Sequence, residues 1–117
     1  MRVRVTEDSI EVLLSPWQKA LGLMKDIHVA IADVGDVGVV DDPIAEVRGS
    51  GLKAGLRLPG LYYIARTIRL DRAFLVRRGV PALSFAVRNH EPLRSVLVST
   101  PEAAELMRRL HSAGSTT

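Results

Sequence analysis

Apolar and polar residues alternate along residues 2–14. Val3 and Val5 have charged or polar neighbours, and the apolar residues of segment 10–14 repeat the pattern after a polar gap. A period of two is typical of strands with one buried face. Residues 7–9 are Glu, Asp and Ser, which favour tight turns, so the pattern predicts a β-hairpin.

The spacing changes to that of a helix after the hairpin. Trp17, Leu21 and Met24 recur every three or four residues, which indicates a short connecting helix. Glycines and alternating valines then indicate strands around a bend. The predicted elements are a helix over 15–26, two strands within 26–42, a helical turn over 43–48 begun by Asp42 and Pro43, and a long loop over 49–60 that holds four of the nine glycines.

The second half of the chain predicts four more strands and a helix. Apolar runs rich in Val, Leu, Ile and aromatic residues are separated by turn-forming residues such as Gly79. Phe74, Phe85 and Trp17 are expected in the core. The predicted strands cover residues 61–70, 72–78, 81–88 and 93–99.

The C-terminal helix has the most complete set of signals. Thr100 is a good N-cap, Pro101 suits the first helical position, and Gly114 is a typical stop. Apolar residues repeat at i, i+3, i+4 and i+7, which predicts one buried stripe. The stripe consists of Ala103, Leu106, Met107 and Leu110.

Length and composition indicate one domain over residues 1–113, followed by a frayed tail over 114–117. A chain of 117 residues with 47% apolar residues can bury a core without staples. The absence of cysteine excludes disulfides and thiolate sites. No apolar run approaches the ~20 residues that span a bilayer, and the acidic N-terminal stretch does not resemble a secretory signal. We therefore expect a cytoplasmic protein.

Charge is distributed unevenly along the chain. Residues 1–46 carry 4 basic and 9 acidic side chains, whereas residues 47–117 carry 12 basic and 4 acidic. This asymmetry favours either an anionic partner or head-to-tail self-association, unless the two halves neutralise each other within the fold.

The order of these elements resembles a pleckstrin-homology-like (PH-like) barrel, in which short antiparallel strands precede one capping helix. The stretches DIHVAIADVGDVGVVDDP, DDPIAEVRG, LPG at residues 58–60 and VSTPEAAELM are similar to short actinobacterial PH-like proteins. The resemblance implies a mainly β (α+β) fold: an antiparallel β-barrel or sandwich of about seven strands with a C-terminal helix. It also implies frequent homo-oligomers and no shared catalytic residues. The alternative is another small α+β or barrel topology.

The residues offer no catalytic or metal-binding constellation. His28, His90 and His111 fall on three separate predicted elements, with no ligand spacing. Ser50 lies between glycines but lacks the strand-to-helix context of a nucleophile, and the same glycines match no phosphate-binding loop. Aromatic residues make up 4%, which disfavours a nucleic-acid surface. We expect no cofactor, no metal and no enzyme activity.

Basic residues in and after the glycine-rich loop form the one candidate anion-binding site. Near an anionic membrane three cations contribute about 1 kcal/mol each, or roughly a hundredfold enrichment, which allows only weak surface contact. The first hairpin carries Glu7 and Asp8, where lipid-binding PH domains carry cations. Ordinary solvated loop charges are the simpler interpretation. The candidate residues are Arg48, Lys53, Arg57, Arg66 and Arg69.

Two strands are candidates for open sheet edges. VGVV at residues 37–40 and LSFAV at 83–87 contain few charges that would guard an edge. The sequence thus predicts a non-enzymatic PH-like module that binds protein, including a second copy of itself. The alternative function is binding of an anionic ligand or lipid head group through the basic loop 48–57.

Overall fold

A computed structural model describes most of the chain. Residues 15–25 of the predicted connecting helix, including Trp17, lie outside the described residues, as do Ser50 and Arg69. The described ranges are 2–14, 26–48, 53–58, 62–67 and 71–115.

The N-terminal strands form a three-stranded antiparallel sheet in the order β1-β2-β3. The predicted hairpin is confirmed, since β1 and β2 pair with Val3 opposite Val12. The Thr6 hydroxyl accepts hydrogen bonds from the backbone N–H groups of Asp8 and Ser9, which closes the turn. The strands are β1 (Arg2–Val5), β2 (Ser9–Leu13) and β3 (Ile27–Ala30).

The remaining strands form a six-stranded sheet in the order β4-β8-β9-β7-β6-β5. The last strand of the chain, β9, lies between β7 and β8. It is parallel to β7 and antiparallel to β8. The strands are β4 (Val34–Val40), β5 (Lys53–Leu58), β6 (Tyr62–Thr67), β7 (Arg72–Arg77), β8 (Ala82–Val87) and β9 (Ser95–Ser99).

The prediction of a loop over residues 49–60 is wrong for its central part. Lys53–Leu58 is strand β5, and it pairs with β6 over six consecutive residues. Two glycines and a proline within 55–60 indicate a loop when the sequence is considered alone. Pairing with the neighbouring strand overrides this weak local preference, because strand propensity depends strongly on context.

Apolar residues are buried on both faces of the six-stranded sheet. In β7, Ala73 and Leu75 belong to the main core, which also contains the buried residues of β2 and β3. Phe74 and Val76 alternate with them and pack on the opposite face, as the period of two along a strand requires. Phe74 and Phe85 are both fully buried, as predicted.

Within the described ranges, two helices cover the six-stranded sheet. Helix α1 (Pro43–Arg48) places Val47 and Ile44 over Phe74. Its N-terminus is capped by Asp42, whose carboxylate accepts a hydrogen bond from the Ala45 N–H at 3.3 Å, as predicted. Between β3 and β4 the chain forms a 3-10 turn over Ile31–Asp33.

Helix α2 (Ala103–Ser115) packs against β4 and β8 through the predicted stripe. Ala103, Leu106 and Leu110 are buried, and Met107 is half-buried at the edge of the core. The helix continues through Ser115, so the predicted end at Gly114 is wrong. The Thr100 hydroxyl accepts a hydrogen bond from the Glu102 N–H before the helix begins.

The fold is mainly β with a C-terminal helix, as predicted. Within the described ranges it has nine strands in two sheets rather than about seven, and the sheets do not close into a barrel. The edge predicted at residues 37–40 belongs to β4, a terminal strand. The edge predicted at 83–87 is wrong, because β8 lies between β4 and β9. Where the chain is described, no helix has the length and apolarity needed to cross a membrane.

Candidate functional site at the sheet edges

Strand β4 forms one edge of the six-stranded sheet. It pairs with β8 along one side, and no other described strand pairs with it along the other. Val37 and Val39 pack against the main core, so the strand is held firmly in place. The ladder shifts register between Val34 and Val37, where Gly35 and Asp36 form a bulge. Among the described strands, the outer side of β4 is therefore a row of backbone groups that can pair with a further strand.

The charged residues of β4 and its flanks are all acidic, although the Arg88 guanidinium donates a hydrogen bond to the Val34 carbonyl at 3.2 Å. Segment 33–42 contains four aspartates and no basic residue. Asp36 and Asp41 are exposed, and neither forms an ion pair with any described residue. The prediction of an edge with few charges at residues 37–40 left out Asp36, which directly precedes them.

Small side chains form the outer sheet face beside this edge. Gly38 lies opposite Ser84 in the ladder, and Ser84 and Ala86 are half-buried. A Cβ atom on Gly38 would have no heavy atom within 4 Å. The face next to the edge is therefore flat, and a neighbouring molecule can approach it closely.

Strand β5 forms the opposite edge of the same sheet. Among the described strands it pairs only with β6, with Lys53 opposite Thr67 and Arg57 opposite Tyr63. No acidic residue occurs in segment 48–58, so this edge is basic.

The structure describes the backbone of four of the five predicted anion-binding residues. Lys53 and Arg57 lie on the edge strand β5, opposite Thr67 and Tyr63. Arg66 lies on β6, opposite Ala54. Arg48 is the last residue of α1, and Arg69 lies outside the described residues. Anion binding by these residues stays a prediction.

A polar cluster joins the β8–β9 connection to the 3-10 turn. The Asp33 carboxylate accepts a hydrogen bond from Asn89 Nδ2 at 3.0 Å and lies 3.2 Å from His90 Nε2. The Arg88 backbone N–H donates to the Asp33 carbonyl at 2.7 Å. The Asn89 hydrogen bond, followed by those of His90 and by the nearby charges, lowers the pKa of Asp33 despite partial burial. Sequence reasoning missed this cluster.

The sequence indicated this cluster only through Asn89, a residue type that is common in turns. Asn89 adopts a left-handed backbone with φ of 61°, a conformation that asparagine tolerates better than most residues. His90 lies between the strands predicted at 81–88 and 93–99, and its partner Asp33 is 57 positions away in the chain. The cluster links the 3-10 turn to the β8–β9 connection through side chains.

A shallow cleft of about 690 Å³ separates the first hairpin from α2. Glu105 in its wall pairs with Arg108 and Arg109, and the hydrogen bond from Arg108 is the main cause that lowers the Glu105 pKa. The two arginines are thereby partly neutralised by their own helix. The lining residues are Val5, Thr6, Glu7, Glu105, Arg108, Arg109 and Ser112.

The three histidines lie in three different parts of the fold. His28 is exposed on β3, His90 lies in the β8–β9 connection, and His111 is exposed on α2. Across the ranges that the structure describes, no three potential ligands cluster closely enough to hold a metal ion.

The chain matches no protein-family model, and neither the curated proteins nor the solved structures contain a match to it. Its function has to be inferred from the chain itself, in which the two edge strands of the six-stranded sheet come from an acidic and a basic segment of the sequence.

Proposed function

We propose that the chain is a non-enzymatic PH-like binding module that self-associates by adding a strand to the open edge of its six-stranded sheet. The PH-like part of the proposal is supported by the succession of short, mostly antiparallel strands and by the single C-terminal helix that packs on the sheet. The resemblance in sequence implies the same arrangement and frequent homo-oligomers.

The proposed self-association is supported mainly by the position of β4, which is an edge strand and pairs with a described strand on one side only. An edge strand presents unpaired N–H and C=O groups that can pair with another chain. Natural proteins usually protect such edges with lysine, proline or strong distortion. β4 contains neither lysine nor proline, and it runs without a shift from Val37 to Val40. Its one bulge and one charge lie near its beginning.

Light scattering at micromolar concentrations tests the proposal. We expect a mass above that of one 12.8 kDa chain, and we expect it to fall on dilution. Gly38→Lys should return the mass to that of a single chain, because it adds a long charged side chain beside the edge without a clash in the monomer. An unmodified chain that is monomeric at every concentration contradicts the proposal.

His28→Lys is the matched control. His28 is exposed on β3 in the other sheet, so the substitution adds the same side chain away from the β4 edge. It should leave the mass unchanged. Thermal unfolding of both variants should show that the fold is retained, which separates loss of association from loss of structure.

A further inference from the structure

We propose that copies of the chain associate head to tail, with the acidic β4 edge of one copy against the basic β5 edge of the next. The inference rests on the proposed self-association and specifies which surfaces meet. It follows from three properties of the six-stranded sheet: the charge of each edge, the direction of the two edge strands and their register.

The charges disfavour pairing of like edges. Segment 33–42 has only acidic charges, and segment 48–58 has only basic ones. Two β4 strands in a symmetric pair would bring aspartates together, and two β5 strands would bring cations together. Like charges on neighbouring strands destabilise a sheet, whereas opposite charges stabilise it. The pairing of β4 with β5 is the one that combines opposite charges.

The direction of the strands makes this pairing possible without inverting either copy. β4 is antiparallel to β8, which is antiparallel to β9, so β4 and β9 run in the same direction. β9 is parallel to β7, and β7 is separated from β5 by two antiparallel steps. β4 and β5 therefore run in the same direction. A second copy that continues the sheet forms a parallel joint.

The register aligns the charges across that joint. Two residues are level when a line of paired residues, one from each strand, joins them across the sheet. Ala54 and Val37 are level in this sense. The residues between them are Arg66, Ala73, Val96 and Phe85. Two residues further along β5, Leu56 is level with Val39 across the same strands.

Over Ala54–Leu56, each β5 residue is thus level with the β4 residue that precedes it by 17 positions. Lys53 comes directly before this range and so lies level with the bulge of Gly35 and Asp36, and Arg57 comes directly after it, level with Val40, which precedes Asp41. A joint that keeps these levels places both cations of β5 beside acidic residues of β4. Because the two surfaces differ, the joint repeats from copy to copy and produces a ring or a filament.

Charge reversal at one pair of positions tests the inference. Asp36→Lys should place two lysines together at the joint, and Lys53→Glu should place two acids together. Each variant alone should associate about tenfold more weakly than the unmodified chain, as expected when a cross-strand attraction becomes a repulsion. An equimolar mixture should recover association, because every joint between unlike variants contains one acid and one cation.

Sedimentation velocity of each variant and of the mixture provides the measurement. Glu7→Lys and Arg78→Glu are matched controls with the same charge changes at exposed positions away from both edges, and they should behave like the unmodified chain.

The outcomes separate the two proposals. If the unmodified chain is monomeric, the proposed function and this inference both fail. If it associates, and Gly38→Lys prevents association while Lys53→Glu has no effect, the β5 edge is not involved and only the head-to-tail inference is overturned. Failure of the mixture to recover association overturns it as well.

Discussion

At Gly35 the bulged strand β4 comes so close to β8 that a Cβ atom would lie 3.0 Å from the Cβ of Ala86. Contacts this short force a neighbouring group to move. Gly35 and Gly38 belong to the same strand, yet only Gly35 has a neighbour within 4 Å of the added atom.

Gly35→Ala should therefore lower the free energy of unfolding by about 1–3 kcal/mol, the usual cost of forcing an extra carbon into a packed site. Gly38→Ala should have little effect, because its added atom meets open space. Urea denaturation of both variants measures the difference. Ala86→Gly in the Gly35→Ala background should recover part of the loss, and no recovery would mean that the strain lies elsewhere.

The buried hydroxyl of Ser99 forms hydrogen bonds with two backbone groups between the end of β7 and the start of β8. Its Oγ accepts a hydrogen bond from the Arg77 N–H at 2.8 Å and donates to the Val80 carbonyl at 3.2 Å. Arg77 is the last residue of β7 and Val80 lies in the connection to β8, which crosses the end of β9. Because buried polar groups need partners, the serine is suited to this position. The sequence predicted Ser99 only as the end of a strand.

Among the elements, α2 has the clearest relation between pattern and packing. Leu106 is 2% exposed and belongs to the main core. Leu106→Ala should reduce stability by roughly 2–5 kcal/mol, because a large side chain is removed from a packed interior. His111→Ala, at an exposed position of the same helix, should change stability by no more than about 0.5 kcal/mol. Equal melting temperatures for the two variants would show that α2 is not docked.

The Asp33 cluster joins two elements through a group that titrates. The folded-state pKa of Asp33 is lower than the ordinary 3.8, so the ionised form stabilises the fold at pH above that value. This contribution should disappear as the pH falls through the folded-state pKa. The stability advantage of the unmodified chain over Asp33→Asn should be complete near about pH 7 and much smaller near about pH 3.

Urea denaturation at the two pH values measures that advantage. The substitution keeps an oxygen that can accept from Asn89 Nδ2, so it removes mainly the charge. A difference that stays constant between the two pH values would contradict the assigned role. Glu7→Gln, at an exposed carboxylate of the first hairpin, provides a control for the general effect of removing one acid.

The elements could largely be predicted from the sequence, but their pairing could not. The periodicity of β1, β2, β7 and α2 is local information, and each was found where it was expected. β5 was missed because Gly55, together with the glycines and the proline that flank the strand in sequence, resembles a loop until a neighbouring strand is considered. β8 was taken for an edge because nothing local indicates that β9 returns to lie beside it. The candidate site depends on that long-range order.

On the scale of the whole molecule, the uneven charge seen in the sequence becomes a polarity of the six-stranded sheet. The acidic half of the chain supplies the β4 edge and the basic half supplies the β5 edge. The uneven charge is visible in the sequence, and head-to-tail self-association is one interpretation of it. The strand order and register were needed to assign the charges to particular surfaces.

The same arrangement predicts weak interaction with anionic membranes. Glu7 and Asp8 are exposed at the first hairpin, where acidic side chains repel an anionic surface. We expect no retention of the chain on vesicles that contain phosphatidylserine, even at low salt, where surface electrostatics are strongest. Vesicle co-sedimentation checks this. Retention that disappears in the variant with Arg48, Lys53 and Arg57 all replaced by alanine would support the anionic-ligand alternative instead.

The position of β9 has a consequence for the order in which the chain can fold. The ribosome releases β4 to β8 before β9, but β9 is the strand that joins β8 to β7. A nascent chain that ends before residue 95 can form only the pair β4–β8 and the triple β5–β6–β7, with four strand edges where the complete sheet has two. Exposed edges favour misassembly. Synthesis of five residues, Ser95–Ser99, therefore marks the point at which the nascent chain can replace two separate half-sheets by one.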